Sequence, residues 1–158
     1  MKDVIVVSKA KFRETVEKFG IGPGVAYISI EATPECARYW LESEKGDGDN
    51  EHYLPDLPNV CNVNFDDLTR DIVWKGHQFK AINEEQATRI LDFIEDHLGC
   101  QLIIHCKAGQ SRSQGVRRFI LDMYPNDYSG EITGTTPNIE VLSKLKQAYF
   151  KKHGGEYE

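Results

Sequence analysis

At 158 residues, 28% charged and 40% apolar, the chain is long enough to bury a sizeable core and reads as one domain over 1–158. A formal net charge of −6 argues against nucleic acid or an anionic membrane as the bulk partner. No apolar run approaches the ~20 residues that span a bilayer, and the opening Met1 to Val7 lacks the apolar block and cleavage site of a secretory leader.

Strand and helix patterns alternate along the chain. Val4 to Val7 reads as a buried strand, and Ala10 to Phe19 as a helix with Phe12, Val16 and Phe19 on one stripe, stopped by Gly20. Val25 to Ile30 is a second apolar run. Glu35 to Glu44 reads as a helix with Cys36, Tyr39 and Trp40 on one side, followed by a polar loop over Lys45 to Asn50. Asn59 to Phe65 reads as a third strand ending in Asp66-Asp67. Leu68 to Ile82 shows little periodicity and is expected to be a loop containing Trp74 and Phe79.

Asn83 then caps a helix, with Gln86 three residues on to complete a capping box. Ala87, Ile90, Leu91, Ile94 and Leu98 form its buried stripe, and Gly99 stops it. Cys100 to Ile104 is the next strand, and Val116, Phe119, Ile120 and Met123 fall at helical spacing after it. Pro125 to Thr135 reads as irregular, and Thr136-Pro137 as the opening of a last helix with Leu142, Leu145 and Tyr149 inward. Strands separated by helices imply a three-layer α/β fold: a central, mostly parallel sheet of four to five strands flanked by helices. Ligands of such sheets sit outside the carboxyl ends of the strands, where both Asp66-Asp67 and the segment after Ile104 fall.

That segment, His105-Cys106-Lys107-Ala108-Gly109-Gln110-Ser111-Arg112-Ser113, carries the chemistry. A loop between a buried strand and a helix start turns backbone N–H groups inward, where the helix dipole favours negative charge. A guanidinium that grips two oxygens makes such a loop a cradle for a phosphate-sized dianion. A thiolate on its floor then faces the bound phosphorus.

His-Cys, five residues, Arg and Ser together resemble the signature loop of the cysteine-dependent protein tyrosine phosphatases, and Ala-Gly with Ser-Arg-Ser resembles its dual-specificity branch. The resemblance implies Cys106 as nucleophile, Arg112 as transition-state clamp, and Lys107, Ala108, Gly109, Gln110, Ser111 and Arg112 as the phosphate cradle. It implies that Ser113 assists the departing Cys106 sulfur, a role compatible with capping the following helix, and that His105 supports the loop rather than acting as a base. It also implies an aspartate acid upstream. Asp67 takes that position when Val63-Asn64-Phe65 is aligned with the family's strand, Asp66 takes it on a one-residue slip, and Asp71 is a more remote candidate.

The implied reaction is hydrolysis of phosphotyrosine and of phosphoserine or phosphothreonine monoesters on a phosphoprotein or peptide, through a phosphocysteine, with no cofactor and no metal. The four cysteines show no C-x-x-C spacing, which argues against zinc, and without a secretory leader a reducing cytoplasm is expected; the chain is expected to be a monomer. Cys61 and Cys100 read as small core residues, with a reversible disulfide to Cys106 under oxidation as the alternative. No segment resembles the tyrosine-recognition stretch of other family branches, so a shallow pocket is expected. Trp74, Lys75, His77 and Phe79 are expected either to form a lid or a wall for the substrate or to be an exposed loop with one aromatic anchor. Three other readings remain open: the same chemistry on a phosphoinositide, since Lys107 within the loop resembles the superfamily's phosphoinositide phosphatases although Gln110 stands where those usually carry a second basic residue, the same chemistry on an RNA 5′ end, or a phosphate-binding module without turnover.

Overall fold

The computed structural model describes residues 1–43, 48–131 and 136–155. Five parallel strands form the central sheet: β1 (Lys2–Ser8), β2 (Val25–Glu31), β3 (Val60–Asn64), β6 (Gln101–Cys106) and β7 (Tyr128–Ser129), in the spatial order β3-β2-β6-β1-β7. β4 (Ile72–Trp74) and β5 (His77–Phe79) make a separate antiparallel hairpin. The helices are α1 (Lys9–Phe19), α2 (Pro34–Glu42), α3 (Glu84–Asp96), α4 (Arg112–Met123) and α5 (Ile139–His153). Among the described residues no helix is long and apolar enough to cross a membrane.

The alternation of strand side chains sorts the core into two layers. Val4, Ala26, Ile28, Ile30, Cys61, Val63, Leu102, Ile104 and Cys106 face one way, onto the buried stripes of α3, α4 and α5. Val7, Val25, Tyr27, Val60 and Ile103 face the other way and pack with Phe12 and Val16 of α1 and with Leu54. His105, one residue before Cys106, therefore lands on the α1 side, its ring 4.2 Å from that of Phe12. Phe19, expected on the α1 stripe, is exposed.

The capping box of α3 forms as its sequence suggests: Asn83 accepts from the Gln86 backbone, and Gln86 accepts from that of Asn83. Three expectations change. Leu68 to Ile82 contains the β4–β5 hairpin, whose tight turn places Lys75 and Gly76 both at positive φ (51° and 81°). The stretch Pro125 to Thr135 contains β7, held because the Tyr128 hydroxyl donates to the carbonyls of His97 and Cys100. The last helix starts after Asn138, whose side chain accepts from the N–H groups of Glu140 and Val141, so Pro137 lies outside it. The expected end of α2 at Glu44, part of the Lys45 to Asn50 loop and the end of the Pro125 to Thr135 stretch lie outside the described residues.

Candidate active site

Cys106 ends β6, and Arg112 begins α4, so the loop between them spans the carboxyl edge of the sheet. The loop folds tightly because Gly109 takes φ +70° and passes so close to β1 that a Cβ there would stand 2.8 Å from the Val7 carbonyl carbon. The Ser113 hydroxyl lies 3.0 Å from the Cys106 sulfur, both buried. Burial alone would raise the Cys106 thiol. The Ser113 hydroxyl, the backbone N–H groups of Ser113 and Gly109 and the Arg112 charge outweigh that and hold it below the ordinary thiol range. Cys36 and Cys61 behave oppositely, each pushed up to about 11, chiefly by burial.

Arg112 is buried, and its Nη1 donates to the Phe65 carbonyl at 2.9 Å, which ties the loop's far end to the end of β3. Ser113 does not cap α4. The cap position falls on Ser111, whose hydroxyl instead donates to Asp67 Oδ1 at 2.7 Å.

Geometry separates the two aspartates after β3. Asp66 is 3% exposed, and its carboxylate accepts from the Thr33 N–H and hydroxyl and from the Lys80 N–H, at 2.8 to 2.9 Å. Thr33 is the N-cap of α2, and Lys80 follows β5, so Asp66 fastens two neighbouring elements together. Asp67 is exposed and reaches the loop between β6 and α4 through Ser111, while Asn138 Nδ2 donates to the same Oδ1 at 2.8 Å. The Asn138 backbone N–H also donates to the Ser111 carbonyl. Asp71 accepts from the Ala81 N–H and lies 3.6 Å from the Lys80 ammonium, with no bond to the loop.

His105 is fully buried, and burial pushes its pKa down to about 4, so it is neutral near pH 7. It stands in a polar row: His105 Nε2 to Ser29 Oγ is 2.7 Å, Ser29 Oγ to His52 Nδ1 is 2.7 Å, and His52 Nε2 to Asn64 Oδ1 is 2.8 Å. Asn64 Nδ2 donates to the Ala32 carbonyl, so its Oδ1 takes the His52 Nε2 proton. Neutral His52 then accepts the Ser29 hydroxyl proton, and Ser29 accepts from His105 Nε2–H. The supporting partner of His105 is thus β2 more than the loop backbone, since its Nδ1 lies 3.4 Å from the Cys106 carbonyl.

Beside this row the buried Lys9 ammonium bonds Glu31 at 2.9 Å and Asp49 at 3.0 Å, and the Lys9 N–H donates to the Lys107 carbonyl. Desolvation lifts Glu31 above the usual carboxylate range, against the pull of Lys9.

A cavity of about 580 Å³ opens from Lys107 and Arg112. Its opposite wall is apolar: Tyr39 and Trp40 from α2, and Ile72, Trp74 and Phe79 from the hairpin. Trp74 and Phe79 both line this cavity, while Phe79 is also the buried aromatic anchor of an otherwise largely exposed hairpin, and His77 lies 5.2 Å from the Tyr39 ring and within 3.4 Å of Glu35.

Ser29, Thr33, His52, Asn64 and Asn138 support the site without having been singled out in the sequence. Two of these carried a local signal, as Thr33 precedes a proline-led helix and Asn138 a helix start. The partners of His105 come from strands and a loop distant in sequence, which no spacing reveals. Among the described residues no group of acidic, histidine and cysteine side chains is arranged to hold a metal. Comparison of the chain with protein-family models, curated proteins and solved structures found no match.

Proposed function

We propose that the chain is a cysteine-dependent phosphatase that hydrolyses phosphate monoesters on a protein or peptide through a phosphocysteine. The observation that carries this reading is the buried Cys106 sulfur, 3.0 Å from the Ser113 hydroxyl and at the start of a loop that also presents Arg112, surroundings that lower its thiol pKa. A cysteine serving only the core would have its acidity suppressed by burial, as Cys61 does.

In the first step the Cys106 thiolate attacks phosphorus while Arg112 and the loop N–H groups hold the equatorial oxygens, whose charge they stabilise as the phosphoryl group flattens. The bond from phosphorus to the leaving oxygen breaks, and that oxygen takes a proton from Asp67. Ser111 and Asn138 occupy Asp67 Oδ1, which assigns the proton to Oδ2. In the second step water attacks phosphorus, and Asp67 accepts its proton. The sulfur–phosphorus bond breaks with the Ser113 hydroxyl donating to the departing sulfur, and inorganic phosphate leaves. Thiolate, guanidinium and carboxyl supply every role, so the reaction needs no metal.

The test is hydrolysis of p-nitrophenyl phosphate in EDTA by the wild type and by Cys106→Ser. Turnover that vanadate blocks and that vanishes in the variant supports the reading, and full activity in the variant ends it.

A further inference from the structure

A loop cradles an anion only if its peptide N–H groups face inward, and a peptide plane in a loop can face either way. In a trans peptide the N–H points opposite to the carbonyl before it, so whatever holds the carbonyl aims the N–H. Alternate carbonyls of the loop, those of Lys107, Gly109 and Ser111, accept from donors outside it. The Lys9 N–H, where β1 passes into α1, donates to the Lys107 carbonyl at 3.1 Å. Gln114 Nε2 donates to the Gly109 carbonyl at 3.1 Å. The N–H groups of Gly115 and Asn138 donate to the Ser111 carbonyl at 2.9 and 3.0 Å. With these carbonyls drawn outward, the N–H groups of Ala108, Gln110 and Arg112 turn the other way, toward the side where the Gly109 N–H meets the Cys106 sulfur.

The three peptides are not equally secure. The Lys107 and Ser111 carbonyls are held by backbone donors fixed by β1, α4 and the cap of α5. The Gly109 carbonyl is held by a side chain, that of Gln114, half-buried on the first turn of α4. Its peptide is also the one freest to turn over. Gly109 sits at φ +70°, where glycine alone tolerates a wide range of neighbouring orientations, and Gln110 beyond it is exposed. The two commonest β-turns differ by such a rotation of one peptide plane. Turned over, the Gly109–Gln110 peptide would offer a bound phosphate a carbonyl oxygen in place of a donor.

Resting on the phosphatase reading, we propose that Gln114 is a positioning residue: it holds the Gly109–Gln110 peptide so that the Gln110 N–H joins those of Ala108 and Arg112 on the phosphoryl oxygens. Gln114 itself touches neither substrate nor sulfur. It keeps one dipole from reorienting, and donors already in place stabilise developing charge without a cost of reorganisation.

The experiment follows backbone amide resonances of isotopically labelled Cys106→Ser as inorganic phosphate is added. The Ala108, Gln110 and Arg112 amides are expected to shift together. Adding Gln114→Met, which keeps the side chain's length and helix propensity and removes the donor, is expected to suppress the Gln110 shift alone. The Ala108 and Arg112 shifts then show that the rest of the loop is intact. Phosphate affinity is expected to fall about tenfold, and kcat of the single variant Gln114→Met about tenfold to a hundredfold with KM changed less, since a whole lost donor costs about a hundredfold or more. Equal Gln110 shifts with and without Gln114→Met, or an unchanged affinity and kcat, overturns the proposal. If phosphate moves the Ala108 and Arg112 amides of Cys106→Ser but not that of Gln110, the proposal falls and the cradle stands. If it moves all three and only Gln110 depends on Gln114, yet the wild type hydrolyses no phosphate monoester, the phosphatase reading falls and the role of Gln114 in anion binding stands. If it moves none, both fall.

Discussion

Asp66 and Thr33 are bonded twice: the carboxylate accepts the Thr33 backbone N–H at 2.9 Å and its hydroxyl at 2.8 Å. Because the Lys80 N–H adds a third bond, the aspartate next to the proposed acid is a clasp holding α2 to the hairpin. Replacing it leaves three part-buried donors without this partner, so Asp66→Ala is expected to lower stability by roughly 1–3 kcal/mol. Thermal unfolding measures this, and a loss near zero contradicts the clasp.

Asp67 differs from its neighbour. It is exposed, and its bonds run to Ser111 and Asn138. Asp67→Asn is expected to lower kcat on a phosphotyrosine peptide about a hundredfold or more, the usual contribution of a general acid, at a cost in stability of about 1 kcal/mol or less. The high-pH limb of the kcat profile, which reports loss of the acid's proton, is expected to flatten. The opposite assignment predicts that Asp66→Asn shows the flattened limb instead.

Cys106 is expected to react with iodoacetamide near neutral pH, where an ordinary thiol is mostly protonated, because its acidity is enhanced despite burial. Removing the hydroxyl in Ser113→Ala shifts the alkylation profile to higher pH. Cys61, pushed up to about 11 by burial, stays unmodified over the same range. Peptide mapping after a short pulse distinguishes the sites. An unshifted profile in Ser113→Ala contradicts the role given to that hydroxyl.

His105 links folding to pH. Its ordinary pKa is 6.5, and burial depresses it to about 4 in the fold. The unfolded chain therefore takes up a proton at a pH where the folded chain does not. This stability is fully present above about pH 6.5 and drains away as pH falls toward 4, by roughly 3 kcal/mol in all. Denaturant unfolding at pH 7 and 4.5 is expected to show a smaller acid loss in His105→Asn than in the wild type. Equal losses mean that other groups carry the effect.

Periodicity made the sheet and its helices legible, because β1, β2 and β6 are largely apolar runs, β3 alternates imperfectly between apolar and polar residues, and the α3 capping box is a local signal. The hairpin escaped notice because three-residue strands are too short to show a period, and Lys75 is an unusual residue at positive φ in its turn. β7 was hidden for a similar reason: its two residues pair with the edge of β1 and are anchored by the Tyr128 hydroxyl, contacts distant in sequence. Within the site, the loop from His105 to Ser113 is contiguous and could be read directly. The choice between Asp66 and Asp67 could not, since it depends on Thr33, Lys80 and Asn138, which meet the aspartates only in the folded chain.

The most direct measurement is rapid quenching of the enzyme with a phosphotyrosine peptide labelled in its phosphoryl group, followed by mapping of the label. Label on the peptide containing Cys106, formed and discharged at rates that account for kcat and absent from Cys106→Ser, is the expected result. Turnover with no labelled cysteine at any quench time contradicts a phosphocysteine pathway outright.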